Sequence, residues 1–379
     1  MSFRLLMSAR DAAAALHLVE IARVARLRKS LEIRIHSQLP ARGYFEAAGI
    51  ETELVDLPSA HSPDDAAAAA LRGAARNAID QFKPDAVLCG LSTPFDSGFD
   101  EAVVAEFDGP SFVFQDFWGE ANLALGKRAD IYLALDEEGV RLSKERHSLP
   151  AVAVGSPRHA TYAGLDIAAM RRQERARLGI PADARVIGLF GQGLHHLEGY
   201  RRTLDVWIKA VANLDDGFLA LYRPHPRESA RDRTWTTDFL RHFGVECIIA
   251  GDETVEASLV ACDVVCSAFS NCSYDAAYLN YFSANPLLTP VSLFFDEEIV
   301  GYFKRMVKLA EFPYLKAGLV KPVYDAAELP RALAAAAGEE DRTWYWRKAQ
   351  SLANPVNASN RILDIVMQGG VGSRPRTGQ

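Results

Sequence analysis

Short apolar stretches alternate with helix-period segments from Phe3 to Val154, and the alternation restarts at Val186. Phe3–Ser8, Leu31–Ser37, Glu51–Leu54, Ala86–Leu91, Ser111–Gln115, Ile131–Leu135 and Ala151–Val154 read as strands. Between the first two, Leu18, Ile21, Ala22 and Ala25 share one helix face, with Glu20 and Arg23 on the other. Ala66 to Phe82 reads as a long helix whose end is marked by Pro84. A strand that is apolar throughout is buried on both faces, and strands separated by helices return in the same direction. The pattern therefore predicts an α/β chain with parallel sheets covered by helices on both faces. The second series places strands at Val186–Phe190, Phe218–Tyr222, Val245–Ala250 and Val264–Ser267.

The two series part at Gly155-Ser156-Pro157, and 379 residues exceed one ordinary core. The expected division is 1–157, 158–335, a helical segment 336–368 broken at Asn354-Pro355 and able to cross back to the first domain, and a flexible tail 369–379. Hydrophobic residues make up 49% and charged ones 24%, enough for two cores and a solvated surface. A net charge of −7 provides no broad basic field, so nucleic acid is not an expected partner. Five cysteines without a Cys-x-x-Cys pair fit a reducing compartment. Arg4, Arg10 and Asp11 interrupt the opening residues before a signal core could form, and no apolar run approaches the ~18–20 residues of a membrane span. The expected location is the cytoplasm, with peripheral membrane association left open.

Phe218 to Tyr222 ends abruptly in Arg223-Pro224-His225-Pro226. Each proline fixes its own φ and pushes the preceding residue out of helical geometry, so the chain leaves the sheet as a rigid elbow. A guanidinium and an imidazole then stand just past the carboxyl end of a strand, where open α/β sheets bind ligands. Downstream, Ser267-Ala-Phe-Ser270-Asn271-Cys-Ser-Tyr-Asp275 turns from a strand into a helix. Ser270 or Asn271 suits the N-cap, and free N–H groups at such a helix start favour an anion. Arg223 and His225 can add hydrogen bonds and charge to a phosphate there, and Asp275 can accept from a ribose hydroxyl. Alternatively, the elbow is a solvated turn and Asp275 a first-turn acid on the helix dipole. No Asp-x-Asp motif occurs, the adjacent His195 and His196 point apart, and no third ligand has suitable spacing, so no metal is expected. The absence of Gly-x-Gly-x-x-Gly after the first strand argues against a dinucleotide dehydrogenase.

Gly191-Gln192, Arg223-Pro-His225-Pro and Ser267-x-x-Ser270-x-x-x-x-Asp275 occur in this order over roughly Val186 to Phe295. The series resembles the nucleotide-binding half of GT-B glycosyltransferases that use CMP-activated sugars, the bacterial sialyltransferases and the capsule Kdo transferases. Ala48-Gly49-Ile50 and Asp116-Phe-Trp-Gly resemble UDP-GlcNAc 2-epimerase-like GT-B proteins instead. The resemblance implies a GT-B fold, two Rossmann-like domains with parallel sheets facing across a cleft. The first would be the acceptor domain and the second the nucleotide-sugar domain. His225 and Ser270 would then hold the phosphate and nucleotide, with Gln192 at the glycine turn near the donor and Ser267 and Asn271 among the substrate-binding residues.

The expected reaction is inverting, metal-independent transfer of a nonulosonic acid or Kdo from CMP to a glycan or glycosylated protein, with no cofactor beyond the sugar donor. Transfer needs a carboxylate to deprotonate the acceptor. Asp11, Asp96, Asp116 and Glu120 follow strands of the first series, and Asp116 comes directly after one, beside Trp118 and Gly119, which could form a sugar platform. The competing role for Asp116 is a helix cap and for Trp118 a core residue. Arg10 and Asp11 flank the first strand-to-helix turn, where either substrate could be met. The alternative activities are a UDP-sugar 2-epimerase or hydrolase of the same fold, or sugar-nucleotide binding without turnover.

Overall fold

The computed structural model describes residues 2–214, 217–251 and 254–372, the side chains of 371 and 372 excepted. The chain forms two compact units: Met1–Thr161 together with Ala353–Gln379, and Tyr162–Leu352.

Unit 1 is built on seven strands: β1 (Phe3–Ala9), β2 (Leu31–Ser37), β3 (Glu53–Leu54), β4 (Ala86–Cys89), β5 (Ser111–Phe114), β6 (Ile131–Ala134) and β7 (Ala151–Ala153). They pair in parallel in the order β3-β2-β1-β4-β5-β6-β7. The order reverses between β1 and β4, which leaves a crevice beyond their carboxyl ends. Every residue of β4 and β5 is buried, as an all-apolar strand between two helix layers requires. Leu6, Leu71, Val87, Val103 and Val113 meet in one core layer. The helix Ala358–Gly372 belongs to this unit. It buries Ile362, Leu363 and Val366, and Arg28 donates to its Asp364 (2.7 Å). Residues 369–372, expected in a frayed tail, continue this helix, and 373–379 lie outside the described residues.

Unit 2 holds β8 (Arg185–Phe190), β9 (Phe218–Arg223), β10 (Cys247–Ile249), β11 (Val264–Ser267), β12 (Thr289–Leu293) and β13 (Lys321–Val323). Their order is β10-β9-β8-β11-β12-β13, again parallel, with the reversal between β8 and β11. The helix Glu198–Ala212 shows how the sequence selects its packing. Tyr200, Leu204, Trp207 and Val211 recur every three or four residues and are all buried, while Arg202 and Lys209 face water. Strands β12 and β13 do not stand out in the sequence pattern, because each carries a proline, Pro290 and Pro322, where a strand ordinarily keeps its donors. The helices Leu329–Ala336 and Glu339–Ala349 fall within unit 2, so the segment expected at 336–368 is shared between the two units.

Candidate functional site

In unit 1 the loops after β1 and β4 are tied to each other across the crevice. Asp100, in the first turn of the helix Phe99–Glu106, accepts from the Arg10 backbone N–H (3.0 Å) and from the Ser8 hydroxyl. Thr93 donates its N–H and its hydroxyl to Asp11, both at 2.9 Å. Glu101 accepts from the N–H groups of Ser92 (3.1 Å) and Gly98 (2.8 Å). Burial pushes the carboxyls of Asp100 and Glu101 well up, and each is further discouraged from ionising by a neighbouring acid, Asp11 for the first and Asp100 for the second. The Arg10 guanidinium closes on Asp96 through the carboxylate and the backbone carbonyl. Burial alone would raise Asp96, but hydrogen bonds from Ser59 and Arg10 outweigh it and hold this carboxylate low.

Asp116 lies just past β5, half-buried, and differs from Asp96. Burial pushes its carboxyl up to about 7, and the charges of Asp11 and Glu120 push the same way. A group with such a value exchanges a proton readily near neutrality, the requirement for general acid or base work. The loop carrying it is shaped by Gly119, whose φ is +62°. A Cβ at Gly119 would stand 2.4 Å from Leu142 Cβ and 2.8 Å from the Leu142 carbonyl carbon, so only glycine lets this loop pass so near the helix Glu137–His147.

In unit 2 the equivalent crevice lies between the loops after β8 and β11. Gln192 Oε1 accepts from the Phe269 N–H (2.9 Å), and Gln192 donates its own N–H to the Tyr200 hydroxyl (2.8 Å). The elbow after β9 is braced from below by Glu228, which is 5% exposed and accepts from the His225 N–H (2.8 Å) and the Tyr222 hydroxyl. A Cβ on Gly191 would meet Glu228 Oε1 at 2.1 Å, so that glycine is where β8 makes room for the brace. His225 is half-buried, and its Nδ1 accepts from the Arg227 N–H (3.1 Å). The ring proton therefore sits on Nε2. Burial, then the Arg227 charge, lower the imidazole to about 4. His225 is thus a neutral donor near pH 7, fitted to hydrogen-bond an anionic oxygen but not to neutralise it.

Several expected roles are corrected by packing. Trp118 is 2% exposed and donates Nε1–H to Asp136 (2.8 Å), so it is a core residue and offers no sugar platform. Ser267 is buried against the Ser273 hydroxyl (3.1 Å), and Asp275 is 3% exposed inside its helix, which removes both from the crevice surface. Arg223 directs Nη1 to the Ser258 hydroxyl (2.7 Å), so its charge is drawn toward the helix Val255–Ala261. Asn271 occupies the N-cap position of the helix Cys272–Phe282 without a side-chain cap. Ser270 Oγ instead accepts from the Cys272 N–H (3.2 Å). Glu120 is half-buried beside Asp116, and Gln115 donates to its carbonyl (2.6 Å). The buried acids Asp100 and Glu101 and the brace Glu228 were not singled out from the sequence. A Gly-Phe-Asp-Glu run reads as an ordinary acidic helix start, and a glutamate after a proline elbow as a solvated one.

No family model and no curated protein matches this sequence. Solved structures do match. The UDP-GlcNAc 2-epimerase of Neisseria meningitidis, bound to UDP-GlcNAc, is 14% identical with a TM-score of 0.68, over 97% of this chain and 100% of that one. The UDP-GlcNAc 2-epimerase of Methanocaldococcus jannaschii, in complex with UDP-GlcNAc and UDP, is 11% identical with a TM-score of 0.63, over 97% and 100%. A glycosyltransferase of Rickettsia africae is 10% identical with a TM-score of 0.63, over 97% and 98%. The fold is GT-B. These neighbours give the resemblance to CMP-sugar transferases no support, and two of the three are named for a UDP-sugar. Among the described residues no helix is long and apolar enough to cross a membrane.

Proposed function

We propose that this chain is an enzyme acting on a UDP-sugar without an acceptor, a 2-epimerase or hydrolase, in place of the CMP-sugar transferase first expected. The observation that carries this reading is Asp116, a half-buried carboxyl raised to about 7 with two further carboxyls beside it. Both activities break the bond between the anomeric carbon and UDP. Inverting carbon 2 also removes and returns a proton at a carbon that becomes acidic only as UDP departs, and a carboxyl near neutrality can serve both directions. Loss of UDP places charge on a phosphate oxygen. In unit 2, neutral His225 Nε2–H supplies a donor of the kind that stabilises it. The sugar-nucleotide neighbours favour UDP over CMP as the leaving group.

Incubation of the chain with UDP-GlcNAc in heavy water, followed by proton and phosphorus NMR, tests the proposal. The expected result is free UDP, or deuterium at carbon 2, with no acceptor added. Inert UDP-GlcNAc together with acceptor-dependent consumption of a CMP-sugar would overturn it.

A further inference from the structure

Four non-glycine residues among those described adopt positive φ: Lys83, Phe95, Ser148 and Lys308. Lys83, Ser148 and Lys308 each close a helix in the left-handed conformation, where a cap hydrogen bond offsets the strain. Phe95 closes none. It is the third residue of the turn Thr93-Pro94-Phe95-Asp96, with φ +63° and the Asp96 N–H bonded to the Thr93 carbonyl (3.1 Å). Proline second and positive φ third is the type II pattern, whose third position suits glycine or asparagine. An aromatic side chain there is strained, and Phe95 is also 68% exposed, more than the exposed aromatics Tyr44, Tyr324 and Trp344. Its ring therefore gains little from burial in this state.

The turn is rigidly held. Thr93 is anchored on Asp11 and accepts from Asn122 (3.0 Å), and Ser97 pairs with Ala60 through two backbone hydrogen bonds. His61 Nδ1 lies 3.1 Å from the Phe95 carbonyl oxygen, and Asp96 is bound by Arg10. A strained, exposed ring on a braced turn beside Arg10, Asp11 and Asp96 combines an apolar face with polar groups. That pairing matches a hexopyranose, whose C–H face stacks on an aromatic ring while its hydroxyls reach charged groups.

We propose that Phe95 is the platform on which unit 1 holds the hexose ring of the nucleotide-sugar. The assignment rests on the UDP-sugar reading above. It also moves the platform from buried Trp118 to the turn after β4.

The test uses the full chain and the variants Phe95→Asn and Phe95→Trp, with melting temperature and calorimetric titration of UDP and UDP-GlcNAc. Asparagine accepts positive φ, so the melting temperature of Phe95→Asn should hold or rise. Its affinity for UDP-GlcNAc should fall roughly tenfold with that for UDP unchanged, and Phe95→Trp should retain sugar affinity. A lower melting temperature with unchanged UDP-GlcNAc affinity would make the ring a packing residue and overturn the platform. Equal loss for UDP and UDP-GlcNAc would place the nucleobase on the ring and overturn it too. A wild-type chain that binds neither ligand would fail at the UDP-sugar reading itself, and the platform would fall with it.

Discussion

The two sheet edges are made alike and charged differently. In each unit a backbone N–H on one side of the strand-order reversal is held by a side chain from the other, Arg10 N–H by Asp100 in unit 1 and Phe269 N–H by Gln192 in unit 2. Unit 1 fills its edge with acids, and burial lifts Asp100, Glu101 and Asp116 toward neutrality. Unit 2 offers a histidine lowered to about 4, and its buried acid Glu228 braces the elbow from within. On the proposed reading, the same topology gives one edge for moving protons and one for holding an anion. Strand order sets where a ligand can bind, and the loop side chains set what happens to it.

The contrast predicts effects of graded size. Asp116→Asn removes the titrating group and keeps its shape, so turnover of UDP-GlcNAc should fall on the order of a hundredfold or more. Unchanged turnover would send the proton-transfer role to Asp11 or Glu120. Gly191→Ala forces a methyl group toward Glu228 and the His225 N–H, and should lower stability by about 1–3 kcal/mol in denaturant titration. No loss would mean that the elbow yields easily and is not braced.

The edges should also respond to pH with opposite sign. Asp100 is raised above its ordinary value, so its contribution is largest in acid and fades as pH climbs toward about 7. His225 is lowered to about 4, so its contribution is complete above the ordinary histidine value and is lost as pH falls through the window down to about 4. The stability deficit of Asp100→Asn against wild type should therefore be smaller at about pH 7.5 than at about pH 4.5. That of His225→Gln should be larger at the higher pH. Melting temperatures at both pH values check the pair, and deficits that move together would erase the contrast. The smallest effect belongs to Trp118→Phe, which keeps the packing and loses the bond to Asp136. A cost of about 1 kcal/mol with turnover unchanged is expected, and a loss of turnover would return Trp118 to the site.

Most of the fold was legible because buried parallel strands leave continuous apolar runs, as in Ser111–Phe114 and Val264–Ser267. Strands β12 and β13 were hidden by Pro290 and Pro322, whose missing N–H a parallel ladder tolerates where that position faces away from its partner. The elbow could be read because Arg223 to Pro226 is contiguous and proline fixes it locally. The acid edge could not, because Ser8 and Arg10 are distant in sequence from the Asp100-Glu101 pair and meet it only when β1 and β4 pair. Trp118 misled because an exposed and a buried tryptophan look the same in sequence. Its burial depends on Asp136, supplied by a later loop. The preference for CMP came from residues expected to bind phosphate, a group that CMP and UDP share.

Titration calorimetry of UDP and CMP against the wild type, Asp116→Asn and His225→Ala tests the division of labour most directly. UDP should bind the wild type and Asp116→Asn with equal affinity, CMP should bind more weakly, and His225→Ala should lose UDP affinity by roughly tenfold or more. Loss of UDP binding in Asp116→Asn with full binding in His225→Ala would contradict the account, because the anion would then depend on the acid edge.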